Sequence, residues 1–250
     1  MSEIAPIPEN ISKSEIAPIP EKISKRKIIV YKSRVDPTIV KLTAEKMKYK
    51  LFSKFSFSKS KSEEIRVVSV DKYYEPYILI DAKYSVQYFK KKVYTLDVDP
   101  ETEQAKISET FYKPEIEADS AGETHKVIKI EAEMWSSYQD KAYLVFDKEG
   151  QEIPPNQVPA APSEDHPEKI LEEFNKKTET VQLSPQKEIE LVKAKIVKRP
   201  SEVAQIDNEL FQVSEHAVIY SPIYEITFRN VRTGEEKLVK IDGVTAKIIS

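Results

Sequence analysis

The chain has 250 residues and no cysteine, three histidines and four glycines. That length predicts one large or two small domains with cores of their own. The missing cysteines exclude a disulfide framework, a thiol nucleophile and thiolate metal sites, and so few glycines argue against a phosphate-cradling loop. A net charge of −3 hides an uneven spread: residues 24–61 hold twelve lysines and arginines against only Asp36 and Glu45. A basic arm on an acidic body points to a polyanionic partner; the plainer reading is that the arm folds back on its own body.

Charged residues are 32% of the chain, and the poverty in Cys and Asn resembles proteins of heat-loving organisms. There is no apolar run of transmembrane length and no secretory pattern in MSEIAPIPENISK, so the expected location is the cytoplasm.

In chain order, residues 1–25 hold a tandem repeat: SEIAPIPENISK at 2–13 and SEIAPIPEKISK at 14–25, differing only at Asn10 and Lys22. Two prolines per copy block regular hydrogen bonding, which predicts a disordered tail. The repeat reads either as a doubled linear motif gaining avidity or as recent slippage. Residues 26–62 form the basic aromatic arm. Lys27–Tyr31 suits a short strand, Asp36–Pro37 a turn, and Thr43 a cap for a helix over AEKMKYKLFSKF, with Met47, Leu51, Phe52 and Phe55 as its apolar stripe.

A β-rich module is expected over 63–152. From Ile78 to Tyr88 apolar and polar residues alternate, placing Val86 and Tyr88 inward and Gln87 outward. Lys90–Lys92 is read as a hairpin tip, with Val93–Val98 returning and Asp99–Pro100 ending the strand. A second hairpin is expected from VIKIEAEMW and KAYLVFD, its apolar face being Ile128, Ile130, Ala132 and Met134, with a turn at Asp147–Gly150. The five prolines within 153–167 suggest a linker between domains, the other reading being a loop packed on one larger domain. An α+β module is expected over 168–250. It has a helix from Pro167, a strand over 188–197 by its β-branched content with a helix as the other reading, and a helix after Pro200 with Val203, Ile206 and Leu210 on one face. A hairpin of Tyr220–Phe228 and Lys237–Ile241 closes on Arg232–Glu235. The fold class is therefore α+β, mainly antiparallel, with two small sheet modules and a few short helices.

Two stretches look alike. Tyr74-Glu75-Pro76-Tyr77 and Tyr220-Ser221-Pro222-Ile223-Tyr224 each enter a strand, and the return strands end at Asp99 and Asp242. The lead-ins EIRVVSVDKYYEP (64–76) and EIELVKAKIVKRP (188–200) align without gaps. This Tyr-x-Pro strand, T-G-E turn and Asp-Gly-x-T pattern resembles the hairpin of small PepSY-like domains. The arrangement also resembles uncharacterised archaeal proteins with paired hairpin modules. Ala246 stands where that pattern has its last glycine. The resemblance implies binding or inhibition and brings no catalytic residues.

No catalytic constellation is legible. His125, His166 and His216 lie in separate segments without metal-ligand spacing. There is no G-x-S-x-G elbow, and Asp97 with Asp99 reads as a solvated strand end. Tyr73, Tyr74 and Tyr77 read as packing or as a contact surface. No metal, cofactor or catalytic residue is implied.

The strongest functional signal is KMKYKLFSKFSFSKSK (46–61). Lys46, Lys48, Lys50, Lys54, Lys59 and Lys61 suit phosphate contacts, and Tyr49, Phe52 and Phe55 suit stacking on bases. The same residues suit an anionic membrane interface, or a helix whose aromatics pack in the core while its lysines are solvated. The expected function is thus a non-enzymatic binding or scaffold protein with a protein partner. The alternatives are a nucleic-acid or ribosome-associated factor contacting its partner through residues 25–61, and a regulatory or inhibitory module acting on an enzyme.

Overall fold

A computed structural model describes residues 18–53, 64–118, 120, 122–175, 177–201 and 203–249. Its elements in chain order are β1 (Glu21–Ile23), β2 (Lys27–Val30), α1 (Pro37–Ser53), β3 (Ile65–Val98), β4 (Ala105–Ile107), β5 (Thr110–Tyr112), β6 (Glu115–Ala118), β7 (Thr124–Phe146), β8 (Glu152–Ile153), α2 (Pro167–Glu173), α3 (Pro185–Ile196), β9 (Gln205–Asn230) and β10 (Glu236–Asp242). The fold is α+β and mainly antiparallel. No helix among the described residues is long and apolar enough to cross a membrane.

The chain divides into two units interleaved in sequence. One comprises Ile23–Lys83, Asp140–Val197 and Gln212–Ser250; the other comprises Tyr84–Gln139, Lys198–Phe211 and the described residues up to Lys22. The expected consecutive modules are thus replaced by units that share the long strands β3, β7 and β9. Residues 153–167 lie within the larger unit, not between domains. Prolines forbid them a ladder, but the segment still packs: the Lys32 amide donates to the Pro162 carbonyl at 2.8 Å, and the Glu164 amide to the Val30 carbonyl at 2.7 Å.

In the larger unit β9 is the organising strand. β10 pairs with it antiparallel, Glu236 opposite Arg229 through Asp242 opposite Ile223. β2 pairs with it parallel, Lys27 opposite Ala217 through Val30 opposite Tyr220. The Ser214 hydroxyl reaches the Asp81 carbonyl and the Val231 amide the Glu64 carbonyl, so β3 runs antiparallel beside β9. α1 lies on this layer. Val40 and Ala44 are buried, Met47 and Leu51 partly so, against Ile65, Tyr224, Ile226, Phe228, Val239 and Ile241. The spacing of 4, 3 and 4 residues is that of one helical face.

This helix starts six residues before the expected cap at Thr43. Asp36 caps it, its Oδ1 accepting the Thr38 amide at 2.7 Å, and Pro37 takes the first helical position, where no amide is needed. Residues 188–197 form α3, not a strand. Ser184 Oγ accepts the Lys187 amide, Pro185 follows, and Ile189, Val192 and Ile196 are buried at helical spacing. Glu188 in the same first turn is fully buried, paired with Arg26 at 2.6 Å and with His216 at 2.5 Å.

In the smaller unit β3 and β7 run antiparallel, as Lys91 beside Glu133 and Asp97 beside His125 require. β6 pairs with β7, Glu115 opposite Val127, and β4 with β5. The two expected hairpin tips are absent: β3 runs through Lys90–Lys92 and β7 through Ser136–Asp140. Neither stretch has the glycine or asparagine that a tight turn needs, so the extended backbone continues. The helix expected after Pro200 is instead the start of β9, where Glu209, Phe211 and Val213 are buried alternately. Glu209 is held there by Arg199, Nε at 2.7 Å and Nη2 at 2.6 Å, and by the Tyr84 hydroxyl at 2.7 Å.

Other expectations hold. Ile78, Ile80, Ala82, Tyr84 and Val86 are buried, whereas Tyr88, also expected inward, is only half-buried like Gln87; the turn at Asp147–Gly150 forms, and α2 begins at Pro167. Of the tail expected to be disordered over 1–25, residues 1–17 lie outside the described residues. Glu21–Ile23 form β1 on β9, because the prolines at 18 and 20 precede the paired residues.

Candidate anion site at the foot of the basic helix

The turn Asp242–Ala246 anchors the site. Asp242 Oδ1 accepts the amides of Val244 and Thr245 and the Thr245 hydroxyl. Ala246 adopts φ 60°, the left-handed conformation that glycine takes without penalty. Gly243 approaches Pro222 so closely that a Cβ would sit 2.7 Å from the Pro222 carbonyl oxygen, which its amide meets at 2.8 Å. Its own carbonyl accepts the amides of Arg34 and Val35 at 2.9 and 3.0 Å and the Ser33 hydroxyl at 3.1 Å. The Tyr-x-Pro and Asp-Gly-x-T residues therefore fix the loop that carries Arg34 into α1.

That loop forms one wall of a pocket of about 680 Å³. Val35 and Tyr224, 8% and 4% exposed, form its floor. The Tyr224 hydroxyl donates to the Val35 carbonyl at 3.2 Å. Arg34, Asp36, Pro37 and Lys41 are exposed, Lys72 and Phe174 also line the pocket, and it is broadly open to solvent. The Lys72 ammonium lies 5.1 Å from the ring centroids of both Tyr74 and Phe174, which meet edge to face. Burial pulls its pKa below the usual lysine value, and the charges of Glu164 and Glu173 offset part of that. Among the described residues no carboxylate lies within ion-pairing distance of Arg34, Lys41 or Lys72. Asp36, the carboxylate on the rim, is engaged by Thr38, whose hydrogen bonds hold its pKa below the usual range.

The residues singled out from the basic arm fare differently. Lys46 is exposed on α1, and Lys48 pairs with Glu45 on the same helix. Tyr49, Lys50 and Phe52 belong to α1; Lys54, Phe55, Lys59 and Lys61 lie outside the described residues. Arg34 and Lys41 belong to the arm but were not singled out. Lys72, Phe174 and Tyr224 were missed, because they reach the pocket from β3, the end of α2 and β9, and no spacing in the chain links them. Among the described residues no three His, Asp or Glu side chains are grouped to hold a metal ion.

The chain matches no family model, no curated protein and no solved structure.

Proposed function

We propose that this is a non-enzymatic binding or scaffold protein that engages a polyanionic partner through its basic arm, with a single-stranded nucleic acid as the favoured partner. One observation carries the reading. α1 is held to the body by its apolar face, and Lys41 and Lys46 stand exposed, with no carboxylate of the described residues in ion-pairing distance. Arg26 and Lys32 of the arm pair with Glu188 and Asp165 of the body, but the charges of Lys41 and Lys46 on α1 are displayed. A lysine-rich surface tracks phosphates with little preference for sequence, since base readout favours the planar fork of Arg or the amides of Asn and Gln.

Ile39 and Leu42, 50% and 57% exposed on the same helix, support an anionic membrane surface as the second reading. Titration of labelled single-stranded RNA and of anionic vesicles at several salt concentrations separates the two. Nucleic-acid affinity should fall with salt, and Lys46→Gln, Lys50→Gln and Lys54→Gln together should reduce the log–log slope by about two units at ~0.7 per phosphate. Salt-dependent binding to vesicles but not to RNA selects the membrane reading, and no binding to either rejects the polyanion.

A further inference from the structure

We propose that the edge of β9 that carries β1 is a docking site for the repeat unit, and that residues 8–12 of the first copy occupy it in exchange with residues 20–24 of the second. The proposal is independent of the polyanion reading. The first copy lies outside the described residues, but the second shows what the edge recognises.

Two anchors hold the second copy. At one end the Phe211 amide donates to the Pro20 carbonyl at 3.0 Å. At the other the Ser24 amide donates to the Val213 carbonyl at 3.1 Å, and the Ser24 hydroxyl bonds the carbonyls of Val213 and Ser214 at 2.8 and 2.9 Å. Between these anchors Glu21, Lys22 and Ile23 are exposed. The edge therefore reads backbone and one hydroxyl, as strand addition does. The first copy offers the same set. Pro8 and Ser12 stand four residues apart, as Pro20 and Ser24 do, and Glu9 and Ile11 match Glu21 and Ile23. Within the docked span the copies differ only where Asn10 stands for Lys22, one of the exposed side chains. These anchors give β9 no means of preferring either copy.

Chain length supplies the preference. Lys27–Val30 stay on Ala217–Tyr220 in either arrangement. Lys25 and Arg26 span the step from Ser24 to Lys27; with Ser12 in the place of Ser24, the fourteen residues 13–26 span it. Loop closure scales with the three-halves power of length, so the second copy is favoured roughly 20-fold and the first takes the edge in about one molecule in twenty. Arg26 stays beside Lys27 in both arrangements, within reach of Glu188. The docked strand is three residues long, and a proline stands directly before it, so the exchange needs only local opening of the edge. Its effect is that one copy covers β9 when the other leaves. A bare strand edge would instead invite pairing with other chains.

The test is hydrogen exchange of the full chain, followed at the Phe211 amide, which belongs to neither copy. Ser24→Pro removes both the amide and the hydroxyl of the second copy's anchor. Protection at Phe211 should fall about 20-fold, yet stay above that of the double variant Ser12→Pro, Ser24→Pro, in which both copies are disabled. Ser12→Pro alone should leave protection within about 1.5-fold of the unaltered chain, because the second copy already holds the edge. Deleting residues 14–25 joins the first copy directly to Arg26 without the longer loop, and should keep protection within about twofold. Thermal melts establish which variants are folded; should Ser24→Pro fail to fold, Ser24→Ala against the double variant Ser12→Ala, Ser24→Ala makes the same comparison. Ser24→Pro exchanging as fast as its double variant, or loss of protection in the deletion, overturns the proposal. Protection in Ser24→Pro that rises with protein concentration, alongside dimers in sedimentation velocity, places the first copy on a second molecule and equally overturns exchange within one chain.

Discussion

Residues 64–76 and 188–200 align without a gap, both opening on Glu-Ile and both ending in proline, yet the first enters β3 and the second forms α3. The difference lies in punctuation and period. Before residue 188 stand Ser184 and Pro185, which cap and start a helix; before residue 64 stand Ser62 and Glu63, with no proline. Within the second stretch Ile189, Val192 and Ile196 are buried at spacings of three and four, and Ala194, Lys193 and Lys195 favour helix. In the first, Val67, Val68 and Val70 cluster and suit a pleated surface. Counting β-branched residues misleads here, because three of those in 188–197, Ile189, Val192 and Ile196, sit on the helix's buried face, where packing outweighs a propensity cost of a few tenths of a kcal/mol.

The largest effect that sharpens this contrast is at one shared position. Val192 is fully buried, and Val68, its counterpart, is 51% exposed. Val192→Asp should cost about 4 kcal/mol or more by burying an unpaired charge, whereas Val68→Asp should cost under about 1 kcal/mol. Comparable losses from the two in urea denaturation would break the assignment of α3's inner face.

The glutamates that open the stretches come next. Glu188→Ala leaves Arg26 and His216 facing a vacated site and should cost about 3–4 kcal/mol, whereas Glu64→Ala, whose nearest cation is Arg232 at 3.7 Å, should cost under about 1 kcal/mol. Melting temperatures of the pair decide it.

Arg199, just before the closing proline of the second stretch, supplies a pH test. Burial pushes the Glu209 pKa upward, but the hydrogen bonds from Arg199 and Tyr84 and the Arg199 charge outweigh it, so the net displacement is below 4.5. A carboxylate depressed in the folded state contributes stability above its unfolded pKa and loses it as pH falls through the folded value. Arg199→Ala should therefore cost about 2–3 kcal/mol at pH 7, and the gap from wild type should narrow below pH 4.5. A gap that stays constant to pH 3 would show that the pair does not titrate as its geometry requires. The smallest effect is at the cap: Ser184→Ala should cost about 1 kcal/mol and lower helical ellipticity only slightly.

Much of the fold was legible where one face is buried. The alternation from Ile78 to Val86 and the Thr233–Gly234 turn follow from side-chain period and a residue able to take φ 75°. What escaped was continuity. Lys90–Lys92 and Ser136–Asp140 look like loop sequence, but in the smaller unit β3 exposes both of its faces from Lys91 to Asp97, so polar residues cost nothing there. The site was half legible: the arm's charge announced itself, while Lys72 and Phe174 meet Arg34 only after residues more than a hundred apart are brought together.

The pairing of β2 with β9 has a consequence for biosynthesis. The Ser24 hydroxyl bonds the Ser214 carbonyl 190 residues away, and Lys27–Val30 find their ladder on Ala217–Tyr220. At about 5–20 residues per second, the ribosome needs roughly 10–40 s to supply that partner after the first strand emerges. Through that interval Ile28, Ile29 and Val30 are a nascent β-segment without its ladder, the kind of segment that chaperones engage and that aggregates when they do not. The larger unit therefore closes late, when β9 leaves the exit tunnel, and stalling ahead of residue 217 should yield a nascent chain more sensitive to protease near its beginning than the finished protein.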